Sequence, residues 1–397
     1  MKKFLSLAMA AMMAVSMTAC GSSSAPKDAS SDAADKTSTE ASSDATFKIG
    51  GIGPITGGAA VYGLGVMNGA QLAVDEINAA GGINGYQVEF NFQDDEHDAE
   101  KSVNAYNALK DWGMQALMGT VTSTPCIAVA DKTAADNMFQ ITPSGSAVPC
   151  IANDNAFRVC FSDPDQGAAS AKYIGENKLA TKVAVIYDSS DVYSSGIYEK
   201  FASEAANQGI EIVAAEAFTA DSKTDFSVQL QKAKSAGAEM VFLPIYYTEA
   251  SLILAQAATL DFAPTFFGCD GLDGILNVEK FDTSLAEGVM LLTPFAADSQ
   301  DELTQKFVSA YKTAYNETPN QFAADAYDAI YAIKAAMEDG AVTPDMSVSD
   351  ICDAMKASMV KISVDGLTGL GMTWNESGEP SKQPKAVKIV NGAYTAM

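Results

Sequence analysis

The sequence predicts an α/β protein of two doubly wound units, each a mostly parallel sheet with helices on both faces. Strand-like and helix-like segments alternate from residue 47 to about 142, and a second alternation of similar build starts near 164. The chain has 397 residues, 48% of them hydrophobic, enough for two cores of about 100–200 residues each. Two strands of the first unit also end in hydroxyl-rich runs, "GTVTSTP" and "TPSGSA", at the sheet edge where open α/β folds bind ligands.

The folded part opens with a strand, "TFKIGGIG", that runs into a glycine-rich loop. Val66, Ala70, Ala73, Val74 and Ile77 recur at helical spacing, and Gly81 and Gly82 stop that helix. "YQVEFNFQD" alternates with period two, as a strand does. The helix over 98–113 starts at Asp98, a side chain suited to capping free N–H groups. "QALMG" is a short buried strand, a helix follows from about 124, and "MFQIT" is the next strand. In the second unit, helices are expected over 163–178, 192–209, 225–237 and 248–262. Strands are expected over 182–188, 210–218, 238–246, 264–268 and 286–295. Helices then dominate, over 301–315, 320–337 and 348–358, and the tail from 372 reads as two strands around a Gly/Pro turn.

The first residues carry a different message. Lys2 and Lys3 precede an apolar run from Phe4 to about Met17, and small residues lead to Cys20. This is the pattern of a secretory signal peptide over 1–20. "MTAC" resembles the bacterial lipobox, which marks Cys20 for lipidation. Residues 21–45 are Ser, Ala, Asp and Thr with almost no large apolar side chains, a composition that stays unfolded and serves as a tether.

Charge and composition narrow the function. With 25 Lys+Arg against 50 Asp+Glu the formal net charge is −25, which repels nucleic acid. One arginine, Arg158, and one histidine, His97, leave little for metal centres or acid–base catalysis. A serine hydrolase using Ser144 or Ser146 lacks a second histidine and a GxSxG elbow. The acidic run 94–100 around His97 matches neither an EF-hand nor a zinc site and reads as ordinary helix-start chemistry, so no metal and no cofactor are expected. Cys126, Cys150, Cys160, Cys269 and Cys352 show no CxxC spacing; buried free thiols are expected, with a Cys126–Cys150 disulfide as the alternative.

A small amino acid suits what remains. Backbone N–H groups at a helix start, with Thr122, Ser123, Ser144 and Ser146, offer donors for a carboxylate and acceptors for an ammonium. Asp270, just past a strand of the second unit in "FFGCDG", offers the opposite charge. Tyr62, in the first loop, supplies a wall.

The order and spacing of "IGPITGGAAVYGLGVMNGAQLAVDEINAAGGINGYQVEF", "ITPSGSA", "FRVCFSDPDQGAASAKYI", "AVIYDSSDVYSSG" and "DGLTGLGMTWNESGEP" resemble the leucine/isoleucine/valine-binding lipoproteins of ABC transporters. The resemblance covers about 47–397 and implies the type I periplasmic-binding fold: two lobes joined by three crossovers, with lobe 1 over 46–160 and 292–367 and lobe 2 over 161–291 and 368–397. It implies ligand contacts at Tyr62, Thr122, Ser123, Ser144, Ser146, Tyr193, Tyr246, Asp270 and Phe322. It further implies no enzymatic activity, an ABC permease as partner, attachment through lipid on Cys20 outside the cytoplasm, and a monomer. A sensor that reports the same ligand to a signalling partner, or a binder of another small amino acid or amide, is the other reading. Where the best-known members of this family have two cysteines, this sequence has His97 and Val121, and Thr120 stands where an apolar pocket wall is common.

Overall fold

A computed structural model describes residues 45–397. The segments assigned above to a signal peptide, a lipidated Cys20 and a tether lie outside the described residues, apart from Ala45.

The first half is β1 (Thr46–Gly53), α1 (Ala60–Ala79), β2 (Gln87–Asp94), α2 (Ala99–Trp112), β3 (Ala116–Gly119), α3 (Ser123–Ala135), β4 (Gln140–Thr142) and β5 (Ala156–Arg158). Its strands form one parallel sheet in the order β2-β1-β3-β4-β5. The chain continues through α4 (Asp163–Glu176), β6 (Lys182–Asp188), α5 (Val192–Ala205), β7 (Glu211–Phe218), α6 (Ser227–Ser235), β8 (Met240–Leu243), α7 (Tyr247–Thr259), β9 (Thr265–Gly268) and β10 (Met290–Thr293). Three helices follow, α8 (Glu302–Tyr315), α9 (Gln321–Asp339) and α10 (Val348–Met359), and the chain closes with β11 (Lys385–Val390) and β12 (Ala393–Ala396). The second sheet runs β12-β11-β10-β9-β8-β6-β7, parallel except for the β10–β11–β12 pairs.

The residues explain these elements. β3 and β8 are wholly buried apolar runs, as expected of strands covered on both faces. Asp98 accepts the Lys101 N–H at the start of α2, and Gly113 ends that helix in the left-handed conformation, φ 93°. Ser162 caps α4 by accepting the Asp165 N–H, and Pro164 occupies its first turn. α9 is buried on nearly every side because it packs on α1, α10, β3 and β4 at once. Gly69 makes the α1–α9 approach feasible: a Cβ there would lie 2.0 Å from the Ala323 carbonyl oxygen.

The chain therefore passes between the two sheets three times: after β5, after β10, and again between α10 and β11. One expectation is corrected. The tail strands do not flank the Gly/Pro segment near 378–380, where only a single Trp374–Pro380 bridge forms. They form a hairpin turning at Asn391-Gly392, both with positive φ, 51° and 73°. Two consecutive positive φ values are what a tight two-residue hairpin turn needs, and Asn-Gly supplies them at low steric cost.

Candidate functional site

β3 and β4 are neighbours in the first sheet, so the hydroxyl-rich runs that follow them lie side by side. Thr142 Oγ1 donates to the Thr120 carbonyl and accepts the Gly145 N–H, both at 2.6 Å. Ser123 Oγ accepts the Ala147 N–H at 3.1 Å, which ties the start of α3 to the second run. Thr122 stands at the N-cap of α3 without capping it by its side chain, so its hydroxyl is not spent on the helix. The Ser146 hydroxyl is buried without a hydrogen-bond partner. The result is a cradle of helix N–H groups and hydroxyls, a surface suited to a carboxylate.

Arg158 lies beneath the cradle, fully buried. Its guanidinium donates to the carbonyls of Gly145, Ser146 and Ala147, and Glu379 pairs with its Nε at 3.2 Å. The lone arginine is thus committed to shaping the loop and is not among the residues that line the cavity described below.

The second half contributes the facing wall. Asp270 follows β9, accepts the Tyr193 hydroxyl proton at 2.7 Å, and donates its own N–H to Gln166 Oε1 at 3.2 Å. Tyr246 stacks on Tyr193 with centroids 4.9 Å apart. Tyr62, from α1 of the first half, crosses over: its hydroxyl donates to the Gly271 carbonyl at 2.5 Å and accepts the Tyr247 N–H at 3.2 Å. Phe322, at the start of α9, packs against Tyr62 with ring centroids 4.4 Å apart.

All nine residues singled out from the sequence line one small cavity, together with Val121 and Gly271. One end carries the hydroxyls and the α3 N-terminus, another the Asp270 carboxylate, and the rest is aromatic with one valine. Burial pushes the Asp270 carboxyl up to about 6, a rise limited by the Tyr193, Gly271 and Gln166 hydrogen bonds. Burial likewise drives the Tyr62, Tyr193 and Tyr246 hydroxyls well above their usual value, so they stay neutral donors.

The expectation for Thr120 is corrected. Its side chain turns away from the cavity and donates to the Thr122 carbonyl at 3.2 Å, and Val121 supplies the wall instead. The five cysteines of the fold are buried free thiols; Cys126 and Cys150 share one small apolar cluster with Ala147 behind the cradle. The acidic run is spent on its own loop: Asp94 accepts from Ile55, Thr56 and Glu96, and Asp95 accepts from His97. Sequence reasoning missed His97, whose Nδ1 lies 2.8 Å from Thr122 Oγ1. Its position just past β2, at the same sheet edge as the run after β3 with only β1 between them, was the available signal.

A family model described as periplasmic binding protein matches residues 46–393. The Leu/Ile/Val-binding protein homolog 3 of Brucella melitensis is 31% identical over 343 residues, 85% of this chain and 89% of that protein. The leucine-, isoleucine-, valine-, threonine- and alanine-binding protein of Pseudomonas aeruginosa is 30% identical over 295 residues, covering 74% of this chain and 78% of its own length. Among solved structures, the branched-chain amino acid transporter substrate-binding protein of Streptococcus pneumoniae, in complex with isoleucine, is 29% identical with a TM-score of 0.80, over 88% of this chain and 98% of that one. The leucine-binding protein of Thermotoga maritima is 26% identical with a TM-score of 0.79, over 89% of this chain and 98% of that one. The match runs through nearly the entire described fold, both sheets and the helices between them, and so this chain belongs to the periplasmic binding protein family.

Proposed function

We propose that this protein captures leucine, isoleucine or valine between its lobes and hands it to an ABC permease. Membership of the family makes it an extracytoplasmic solute-binding protein rather than an enzyme. The observation that carries the choice of ligand is the single cavity with a carboxylate-type cradle and the Asp270 carboxylate around a small apolar space. The Thr122, Ser144 and Ser146 hydroxyls and the α3 N–H groups receive the ligand carboxylate, and Ser123 keeps the cradle in register. Asp270 receives the ammonium, with Tyr193 holding its carboxylate. Tyr62, Tyr246, Phe322 and Val121 enclose the side chain. The relatives named for leucine, isoleucine and valine support the same choice. Lobe 1 comprises 46–160 and 292–367, lobe 2 comprises 161–291 and 368–397, and lipid on Cys20 holds the monomer at the outer face of the membrane.

Thermal melting tests this, on protein unfolded and refolded to strip carried-over ligand. Leucine, isoleucine or valine at about 100 times its Kd is expected to stabilise by about 2.7 kcal/mol. A shift only with other amino acids moves the specificity, and no shift with any α-amino acid overturns the head-group assignment.

A further inference from the structure

His97 is the only histidine of the chain, and it does not line the ligand cavity. It stands directly behind it. The backbone at His97 is left-handed, φ 60°, and Asp95 Oδ1 accepts its N–H at 2.9 Å, so the loop fixes where the ring points. The ring Nδ1 lies 2.8 Å from the Thr122 hydroxyl. The ring also stands edge-on to Tyr246, centroids 5.5 Å apart and planes at 87°. Thr122 belongs to the first half and Tyr246 to the second. Tyr246 in turn stacks on Tyr193, the donor to Asp270. One imidazole thus touches a residue from each side of the cleft.

A hydroxyl has one proton to give and two lone pairs. If Nδ1 accepts, the Thr122 proton goes to His97 and nothing is left for a ligand carboxylate. If Nδ1 carries a proton and donates, the Thr122 proton is free to face the ligand. Burial and Lys223 lower the basicity of the imidazole while Asp98 and Asp188 oppose them, so the ring is neutral near pH 7 and the choice is one of tautomer. Lys223 also lines the groove beside the ring, with Asp188, Asp191 and Glu249. Lys223 is paired there with Glu249 at 3.4 Å. The tautomer follows from Thr122: only a proton on Nδ1 leaves the Thr122 proton free for a ligand carboxylate.

We propose that His97 is a positioning residue of the ligand site: its Nδ1–H holds the Thr122 hydroxyl with the proton turned toward the ligand carboxylate, and its packing on Tyr246 ties that setting to the closed cleft. This rests on the amino-acid-binding reading above. An asparagine at this position keeps an amide group where Nδ1 stands, whereas a glutamine moves it one bond outward.

The test is calorimetric titration of L-leucine, L-isoleucine and L-valine into the wild type, His97→Ala, His97→Asn, His97→Gln, Thr122→Val and the double variant His97→Ala/Thr122→Val. His97→Ala is expected to weaken binding about tenfold, the scale of one lost hydrogen bond. His97→Asn is expected to recover most of that loss and His97→Gln little of it. The double variant is expected to bind no worse than Thr122→Val alone, because the two residues act as one unit. Additive losses, or asparagine no better than glutamine, overturn the proposal and leave His97 as packing. Unchanged affinity in His97→Ala overturns it while the amino-acid reading stands. A wild type that binds none of the three amino acids overturns both.

Discussion

At the scale of single residues, Asp270 sets the strongest expectation. Its carboxyl is buried, and burial holds its pKa near 6. Above that value it is charged and, in the function proposed, attracts the ligand ammonium; below it the group is neutral and that attraction is lost. Leucine affinity is therefore expected to fall about tenfold per pH unit below about pH 6, as one proton is taken up. Stability of the ligand-free protein responds in the opposite sense. The folded pKa lies above the roughly 3.9 of an unfolded aspartate, so the folded state holds a proton that the unfolded state has released. The stabilising contribution of this group is full below about pH 4 and is lost as the pH rises through about 6. Titrating leucine from pH 4.5 to 8 into the wild type and into Asp270→Asn checks the assignment. The substitution is expected to cost about 2–5 kcal/mol of binding at pH 7.5, the range for one partner lost from a buried charge pair, and to flatten the acid limb. An unchanged acid limb in Asp270→Asn would assign the titration to another group, with Asp191 next in line because burial brings it also to about 6.

At the scale of elements, α1 and α9 pack together along an extensive interface. It depends on Gly69, whose added Cβ would meet the Ala323 carbonyl at 2.0 Å. Gly69→Ala is expected to lower stability by about 1–3 kcal/mol through overpacking, despite alanine's better helix propensity, and urea unfolding would read it. An increase in stability would mean that α9 can retreat freely. This contact also shows what the sequence could and could not reveal. The helical spacing of Val66, Ala70, Ala73, Val74 and Ile77 was legible because apolar residues three and four apart must share a face. That the face meets α9, more than 240 residues later, was not legible from spacing, since periodicity names a face and not its partner; the family resemblance implied only that the two segments share a lobe. The hydroxyl runs were legible because they follow consecutive strands that pair in the sheet. The commitment of Arg158 to three carbonyls and the inward turn of Val121 in place of Thr120 depend on loop geometry. No residue pattern encodes them locally. The Asn391-Gly392 hairpin, by contrast, was legible, because that dipeptide is a strong turn signal, but the Gly/Pro segment upstream drew the strands to the wrong place.

At the scale of the whole molecule, the structure has its lobes closed. Hydrogen bonds cross the cleft: Tyr62 to Gly271, Thr248 to the Gly58 carbonyl at 2.7 Å, and Gln321 to the Asp270 carbonyl at 2.8 Å. A ligand that adds contacts to both walls shifts the population further toward this form. Tyr62→Phe removes the hydroxyl that bridges Gly271 and Tyr247 yet keeps the ring on Phe322, so it is expected to favour the open form and weaken leucine binding about tenfold. X-ray scattering would then show a larger radius of gyration without ligand than the wild type has, converging with it at saturating leucine. The chain crossings that join the two lobes meet behind the cleft. The Lys382 ammonium is buried there and donates to the Val159 carbonyl beside the first crossing, to Thr368 in the third, and to Asp325 on α9 at 3.0 Å. Burial lifts the Asp325 carboxyl to about 7 even with Lys382 beside it, so this aspartate depends on its partner. Lys382→Met strands that carboxyl and is expected to cost about 3–5 kcal/mol in urea unfolding. Lys382→Met/Asp325→Leu removes both charges and is expected to recover much of the loss, because the penalty belongs to the unpaired charge and not to the missing pair. If the double variant is as unstable as the single one, the contribution of Lys382 lies in its bonds to Val159 and Thr368, and the crossings themselves, more than the ion pair, are what it holds together.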